Sequence, residues 1–284
     1  MVTTGFNGII KAVELKAFAK VNLYLSIHNK RKDDFHNITT LFQTINLYDI
    51  IRVKSSNSKT VFKTNIDLKW NNDNLLYRAV EELEKASSET LKLSIELEKH
   101  IPPKSGLGGG SSDVAVFLKH LGKILSLPKK EIERIARMLG SDVLFFLKGG
   151  TAIGRGRGEL LEFPGGLNDY YVKLHFPDSS VSTSEAYKMF DESGLVNRDS
   201  SQAYDEVRKL WEAFKNNDYE TISKLSRNDF EDVVFMYKPS IFSLFKSIKS
   251  SDIVVKRMTG SGSAIYELFP KYVQYSFSFV KGVD

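Results

Sequence analysis

A strictly alternating run, Leu91, Leu93, Ile95 and Leu97, leads into the segment Pro102-Pro103-Lys104-Ser105-Gly106-Leu107-Gly108-Gly109-Gly110-Ser111-Ser112. An amphipathic stretch follows, with Val114, Ala115, Leu118, Leu121 and Leu125 along one side. Alternation predicts a half-buried strand and the later spacing predicts a helix, so the chain must pass from strand to helix through a glycine turn. Closely spaced glycines let backbone N–H groups turn toward an anion without side-chain obstruction, and the helix start adds about half a unit of positive charge. A polyphosphate suits such a turn, although glycines alone would equally make a tight connection. No Gly-Lys-Ser/Thr follows, so this is not a P-loop, and the spacing and strand context do not match the dinucleotide fingerprint. Ser111 and Ser112 could offer hydroxyls to a phosphate or to Mg2+, which prefers oxygen ligands.

Length and composition bound what surrounds this turn. A chain of 284 residues fits one large domain or two intimate halves, and we expect the latter, divided near residue 160. With 42% hydrophobic and 26% charged residues it is a globular chain. The formal charge of +5 comes from Lys and Arg spread along the whole sequence, commonly beside Glu or Asp. That distribution argues against a nucleic-acid footprint but suits an anionic small molecule. The absence of Cys excludes disulfides, thiolate nucleophiles and Cys metal sites, and the five His show no close metal-ligand pairing. Any metal must be held by oxygen. No apolar run reaches the roughly 18 residues of a membrane span, and Met1 to Leu15 lacks a signal-peptide pattern, so we expect a cytoplasmic protein without a membrane partner.

Elsewhere the pattern predicts a half-buried strand over Val21 to Ile27 with Lys20 and Asn22 on its polar face, then a polar segment and a β-like run from Thr39 to Val53. A helix capped by Asn74 runs to Ala86, and another, Lys129 to Leu139, stops at Gly140. Val143 to Leu147 reads as buried, and Gly149 to Gly158 as a turn-rich passage. The second half holds a strand at Tyr171 to Phe176 and helices at Ser201 to Asn216, Tyr219 to Leu225 and Ser240 to Ile248. It ends with strand, glycine loop and strand: Ile253 to Arg257, Thr259 to Ser263 and Ala264 to Phe269.

Several of these segments, in order, carry a resemblance. They are Ala19-Lys20-Val21-Asn22-Leu23, Asp33-Asp34-Phe35-His36, Leu41-Phe42-Gln43, Asn74-Leu75-Leu76-Tyr77-Arg78-Ala79 and the glycine loop. Gly140-Ser141-Asp142-Val143, Gly154-Arg155-Gly156-Arg157-Gly158-Glu159 and Thr259-Gly260-Ser261-Gly262 complete the set. Together they resemble the galactokinase, homoserine kinase, mevalonate kinase and phosphomevalonate kinase (GHMP) superfamily. Within it they are most similar to the kinases of the non-mevalonate isoprenoid route that act on a cytidine-diphosphate-linked methylerythritol. The resemblance implies an α+β, two-domain GHMP kinase fold. Residues 1–160 would form a ribosomal-protein-like α/β half that binds ATP, residues 161–284 a ferredoxin-like half, with the active site between them.

It also implies roles. Lys20 and Asp142 would flank the acceptor hydroxyl, Asp142 taking its proton while Lys20 orients Asp142 and stabilises charge on the transferring oxygens. Phosphoryl transfer through a loose transition state asks for positioning more than for a strong base. Pro102 to Ser112 would hold MgATP. Asn22, Phe35, His36, Thr183 and Tyr187 would bind the substrate, with Phe35 and Tyr187 stacking on the two faces of the base and His36 reading its edge. Gly260, Ser261 and Gly262 would support the site near the phosphates. A monomer or weak homodimer is implied. Phe35 stands where the family usually has Tyr, and Asp34 where it has Gly in a turn that Asp tolerates.

From the residues alone other readings stay open. Asp142 could be a helix cap or ion-pair partner, Lys20 a surface strand residue, Phe35 and Tyr187 core, and Thr259 to Ser263 a hairpin connection. Another kinase of the superfamily acting on homoserine, mevalonate or a sugar, or a non-catalytic ligand-binding regulator, would carry many of the same features.

Overall fold

The structure, a computed structural model, describes residues 10–195, 198–272 and 277–280. Most of the Met1 to Leu15 segment therefore lies outside the described residues. The chain forms two compact units that interleave in sequence. Among the described residues no helix is long and apolar enough to cross a membrane.

The first unit comprises Met1–Ala19, Leu47–Ile101 and Gly108–Lys148. Two long strands, β1 (Val13–Lys30) and β2 (His36–Ser55), contribute their first and last stretches to it respectively. With β3 (Val61–Thr64), α1 (Leu75–Ser87) and β4 (Leu93–Glu98) they give the strand order β3-β4-β2-β1. Alternation sets the register: Leu97, Ile95 and Leu93 of β4 pair antiparallel with Ile51, Val53 and Ser55 of β2. The side chains of Leu93, Ile95 and Leu97 are all buried. Helices α2 (Gly109–Ile124), α3 (Lys129–Leu139) and α4 (Ser141–Phe146) complete the unit.

The expected start of α1 is present, the Asn74 side chain accepting from the Leu76 N–H at 2.9 Å. Helix α2 packs on α1, α3 and α4, burying Val114, Ala115, Leu118 and Leu121 as its spacing predicts. Each fully buried aliphatic side chain is worth about 1.5–3 kcal/mol. Helix α3 stops at Gly140, and the buried run beyond it is α4.

The second unit comprises Lys20–Asn46, Pro102–Leu107 and Gly149–Asp284. Here the strand over Val21 to Ile27 departs from the half-buried expectation. Lys20, Asn22, Tyr24, Ser26 and His28 are all buried as well as the apolar face. The alternation is genuine, but its polar side chains are satisfied by distant partners, Thr40 for Asn22 and Asp229 for Ser26. Sequence spacing cannot reveal such partners.

The passage read as turn-rich contains β5 (Thr151–Gly156), which pairs antiparallel with β2 over Ile38–Gln43 and with β6 (Leu160–Glu162). After β7 (Tyr170–His175) come α5 (Thr183–Glu192), α6 (Ser200–Asn216) and α7 (Tyr219–Leu225). A short β8 (Arg227–Asn228), α8 (Phe230–Tyr237), α9 (Pro239–Ser247), β9 (Val255–Met258), β10 (Ile265–Pro270) and β11 (Phe277–Ser278) follow. Strands β11-β7-β10-β9 form an antiparallel sheet. Helices α5 and α8 were not expected. The first carried a readable signal, a capping box between Ser182 and Glu185. In the second the only charged residues, Glu231 and Asp232, are adjacent in the first turn, so they mark no helical period.

Candidate active site

In the first unit the glycine turn ends at Gly108, whose φ of +75° lies in the left-handed region, and α2 starts at Gly109. Its first N–H groups have no acceptor within the helix. The Ser112 N–H donates to the Gly108 carbonyl at 2.9 Å, closing the first turn. Ser112 is buried, whereas Ser111 and Gly110 keep exposure. A Cβ on Gly109 would meet Ile101 Cγ2 at 3.0 Å and Lys99 Nζ at 3.1 Å, so the turn rests directly on these two side chains.

Lys99 belongs to a network that was not anticipated. Its Nζ donates to Asp49 and, at 2.8 Å, to Asp113 Oδ2, while Asp49 Oδ1 accepts the N–H groups of His100 and Ile101. Asp113 Oδ1 has no hydrogen-bond partner among the described residues. Burial pushes the Asp113 carboxyl up to about 7, with Lys99 opposing the shift and Asp49 adding to it. One ammonium cannot neutralise two buried carboxylates, so the Asp113 carboxyl holds its proton well above the ordinary carboxylate range. The one outward sign in the sequence was an Asp inside the apolar stripe of α2.

The native Asp113 thus keeps its proton between its ordinary 3.8 and about 7, where the unfolded chain has lost it. Stability falls as pH rises through that window. Asp113→Asn removes this titration, so its melting temperature relative to wild type should climb between about pH 4 and pH 7. A difference that stays flat in thermal melts would mean that Asp113 is ionised throughout.

Asp142 lies in the first turn of α4, half-buried, on a helix packed against α2. It thus belongs to the unit that carries the helix start.

In the second unit the other end of the glycine turn interlocks with the late loop. Gly106 has φ of +78°, and a Cβ there would fall 2.1 Å from the Thr259 carbonyl oxygen and 3.1 Å from that of Gly262. Ala264 N–H donates to the Ser105 carbonyl, and Ser105 Oγ to the Pro102 carbonyl. Leu107 is buried and its carbonyl accepts from the Lys20 N–H at 3.0 Å. Pro103 and Lys104 are exposed.

Lys20 Nζ donates to Asn22 Oδ1 at 2.6 Å and lies 5.6 Å from the centroid of Phe42. Asn22 in turn donates through Nδ2 to Thr40, and its backbone N–H to Thr259 Oγ1. A Cβ on Gly260 would sit 3.3 Å from Lys20 Nζ. The structure therefore gathers Lys20, Asn22, Gly106, Gly260 and Gly262 within one unit. Thr183 joins them, its Oγ1 lying 3.1 Å from Ser261 Oγ.

Phe35 is 51% exposed with the Arg157 guanidinium 4.7 Å from its ring centroid. Asp34 before it has φ of +62°, the left-handed conformation that explains why a glycine would be at home there. His36 is buried, with Nε2 2.9 Å from Asp191 Oδ1. Its ring stacks on Tyr187 at 5.2 Å and 10°. Lys30 Nζ donates to the other Asp191 oxygen at 2.8 Å. A carboxylate at Nε2 favours the proton there, which leaves Nδ1 as an acceptor in the neutral ring. Asp191 gave no signal in the sequence, because it reaches His36 from another element.

The family described as GHMP kinases N terminal domain matches residues 74–150, and GHMP kinases C terminal matches residues 210–274. The chain is 39% identical over 272 residues to a 4-diphosphocytidyl-2-C-methyl-D-erythritol kinase of Thermotoga petrophila, covering 96% of this chain and 97% of that one. A crystal structure of 4-(cytidine 5'-diphospho)-2C-methyl-D-erythritol kinase is similar with a TM-score of 0.73 and 31% identity, covering 90% of each chain. A homoserine kinase from Cytophaga hutchinsonii shares the fold at TM-score 0.68 and 19% identity, over 93% of this chain and 86% of that one. These matches reach across both units, and the chain belongs to the 4-diphosphocytidyl-2-C-methyl-D-erythritol kinase family of the GHMP kinases.

Proposed function

We propose that this chain transfers the γ-phosphoryl group of ATP to the 2-hydroxyl of 4-diphosphocytidyl-2-C-methyl-D-erythritol, in the non-mevalonate route to isoprenoid precursors. The observation that carries the reading is the interlocked pair of glycine loops beside Lys20, within a chain related over 96% of its length to a kinase of that name. The acceptor oxygen forms a bond to the γ-phosphorus, the bond from that phosphorus to the bridging oxygen breaks, and ADP leaves. Asp142 takes the hydroxyl proton, and Lys20 balances charge on the transferring oxygens. Pro102 to Ser112 embrace the triphosphate, with the α2 N–H groups facing its charge. Magnesium bound to ATP supplies further charge neutralisation. It keeps waters and needs few protein ligands, and the partly exposed Ser111 offers one hydroxyl.

At the base, exposed Phe35 supplies a stacking face, and His36 Nδ1 is left to accept from the cytosine amino group. Thr183 is the remaining candidate for a substrate contact, whereas buried Asn22 holds Lys20 and Tyr187, expected on the second face of the base, instead stacks on the His36 ring and packs against Phe230. Purified protein given this substrate and MgATP should release ADP, while the same polyol phosphate without its cytidine portion should turn over far less. No ADP release with the full substrate would overturn the assignment, and equal rates with a sugar, homoserine or mevalonate would move it elsewhere in the superfamily. Phe35→Ala should raise KM for the cytidine substrate by about 5- to 150-fold, the equivalent of one stacked base, with KM for ATP little changed.

A further inference from the structure

The stretch Asn228-Asp229-Phe230-Glu231 was not singled out in the sequence, yet three of its side chains reach the elements that carry Lys20 and the late glycine loop. Strand β8 pairs parallel with β1, Tyr24 opposite Arg227 and Leu25 opposite Asn228, and the Asp229 N–H donates to the Leu25 carbonyl at 3.0 Å. Asp229 Oδ2 accepts from Ser26 Oγ and from the Ile27 N–H, both at 2.9 Å, while Oδ1 accepts from Arg227. This fixes the stretch to β1.

The other side chains point to the loop. Buried Asn228 donates through Nδ2 to the carbonyls of Met258 and Gly260, each at 2.8 Å, and its Oδ1 accepts from the Phe230 N–H at 3.0 Å. Glu231 Oε1 accepts from the Met258 N–H at 2.6 Å. Met258 is therefore held at both its N–H and its carbonyl. The held residue Gly260 is also the one whose Cα faces Gly106 and Lys20. A Cβ there would lie 2.9 Å from the Gly106 carbonyl oxygen and 3.3 Å from Lys20 Nζ. Any slip of Gly260 reaches the phosphate loop and the lysine directly.

We propose that Asn228 and Glu231 are positioning residues for phosphoryl transfer, a bracket anchored on β1 by Asp229 that sets the Met258–Gly260 backbone against Gly106 and Lys20. An amide is required at 228, because two donors serve two carbonyls while its oxygen serves a third group. Asp at that position would turn an acceptor toward carbonyl oxygens. A glutamate at 231 accepts the Met258 N–H most strongly when ionised. Burial pushes its carboxyl up to about 7, with Arg257, the Met258 N–H and Arg227 opposing and Asp232 adding to the shift, and Lys256 and Tyr266 are the other titratable groups that interact with it. The grip on Met258 therefore tightens as pH rises through that value.

The inference rests on the phosphoryl-transfer reading for its kinetic arm only. In the full-length enzyme, Asn228→Asp should lower kcat by about 10- to 100-fold, with both KM values within about threefold, since misplacement of reacting groups rather than lost binding is the defect. Backbone hydrogen exchange at residues 258–263 should accelerate about tenfold or more, and exchange in α2 should not change. Glu231→Gln keeps an acceptor for Met258 but cannot ionise. Wild-type kcat should rise through about pH 7, and this rise should be missing from the variant. Should Asn228→Asp fail to fold, Glu231→Gln decides by its pH profile and by exchange at 258–263. Wild-type kcat and exchange in Asn228→Asp, or an unaltered pH profile in Glu231→Gln, overturn the bracket. If wild-type protein does not phosphorylate the cytidine substrate, that failure belongs to the functional reading, and exchange at 258–263 alone judges the bracket.

Discussion

Asp142→Asn is expected to lower kcat for the cytidine substrate by about 10²- to 10⁴-fold, the range that a positioned general base contributes, while ATP binding stays within a few-fold. The substitution is nearly isosteric and gives up only a carboxylate's attraction to the helix N-terminus, about 0.3–1 kcal/mol, so α4 and its packing on α2 should survive it. The lost property is the carboxylate's capacity to take a proton. Steady-state ADP release and calorimetric ATP binding separate the outcomes. Loss confined to kcat supports the base, whereas unchanged turnover removes Asp142 from the mechanism.

Gly106→Ala should be nearly as damaging, for a geometric reason. Its φ of +78° costs an alanine about 1–2 kcal/mol, and the added methyl would lie 2.1 Å from the Thr259 carbonyl oxygen. That neighbour is backbone and cannot rotate aside, so one loop must move. We expect kcat/KM to fall by about 10²-fold or more and the melting temperature to drop by several degrees. Gly110→Ala is the thermal control. Its Cβ would meet only Leu75 Cδ1, at 3.8 Å, and alanine is the better helix former, so the melting temperature should hold or rise. Equal melting temperatures for Gly106→Ala and wild type would mean that the two loops are not locked together.

These two sites mark different limits of what a sequence tells. The strand, glycine turn and helix around Gly106 could be read directly, as could the Asn74 cap and the three following amphipathic or buried runs. Periodicity and capping are local signals, recorded within a few residues of where they act. The place of Asp142 came from resemblance, since an Asp after Gly140 has no local pattern that separates a base from a cap. The strand β5 was hidden by its own glycines, among them Gly154, where a Cβ would lie 2.9 Å from the Phe42 side chain. Helix α8 was hidden because its only charged residues, Glu231 and Asp232, are adjacent in its first turn and give no period.

By itself the sequence determined the alternation of strands and helices, the glycine turn that suits an anion, and the family resemblance from which Lys20, Asp142 and Phe35 are proposed as site residues. Only the tertiary structure decided that Gly106 abuts Thr259, that Lys99 sits between Asp49 and Asp113, that Asp191 faces His36, and that Asn228 grips Met258 and Gly260. It also interleaved the two compact units along the chain. The reason is the same in each case. A buried polar group must find its partner wherever the folded backbone brings one, and the hydroxyl that accepts from the Asn22 N–H is 237 residues away in the chain. Period and composition carry no record of such pairs.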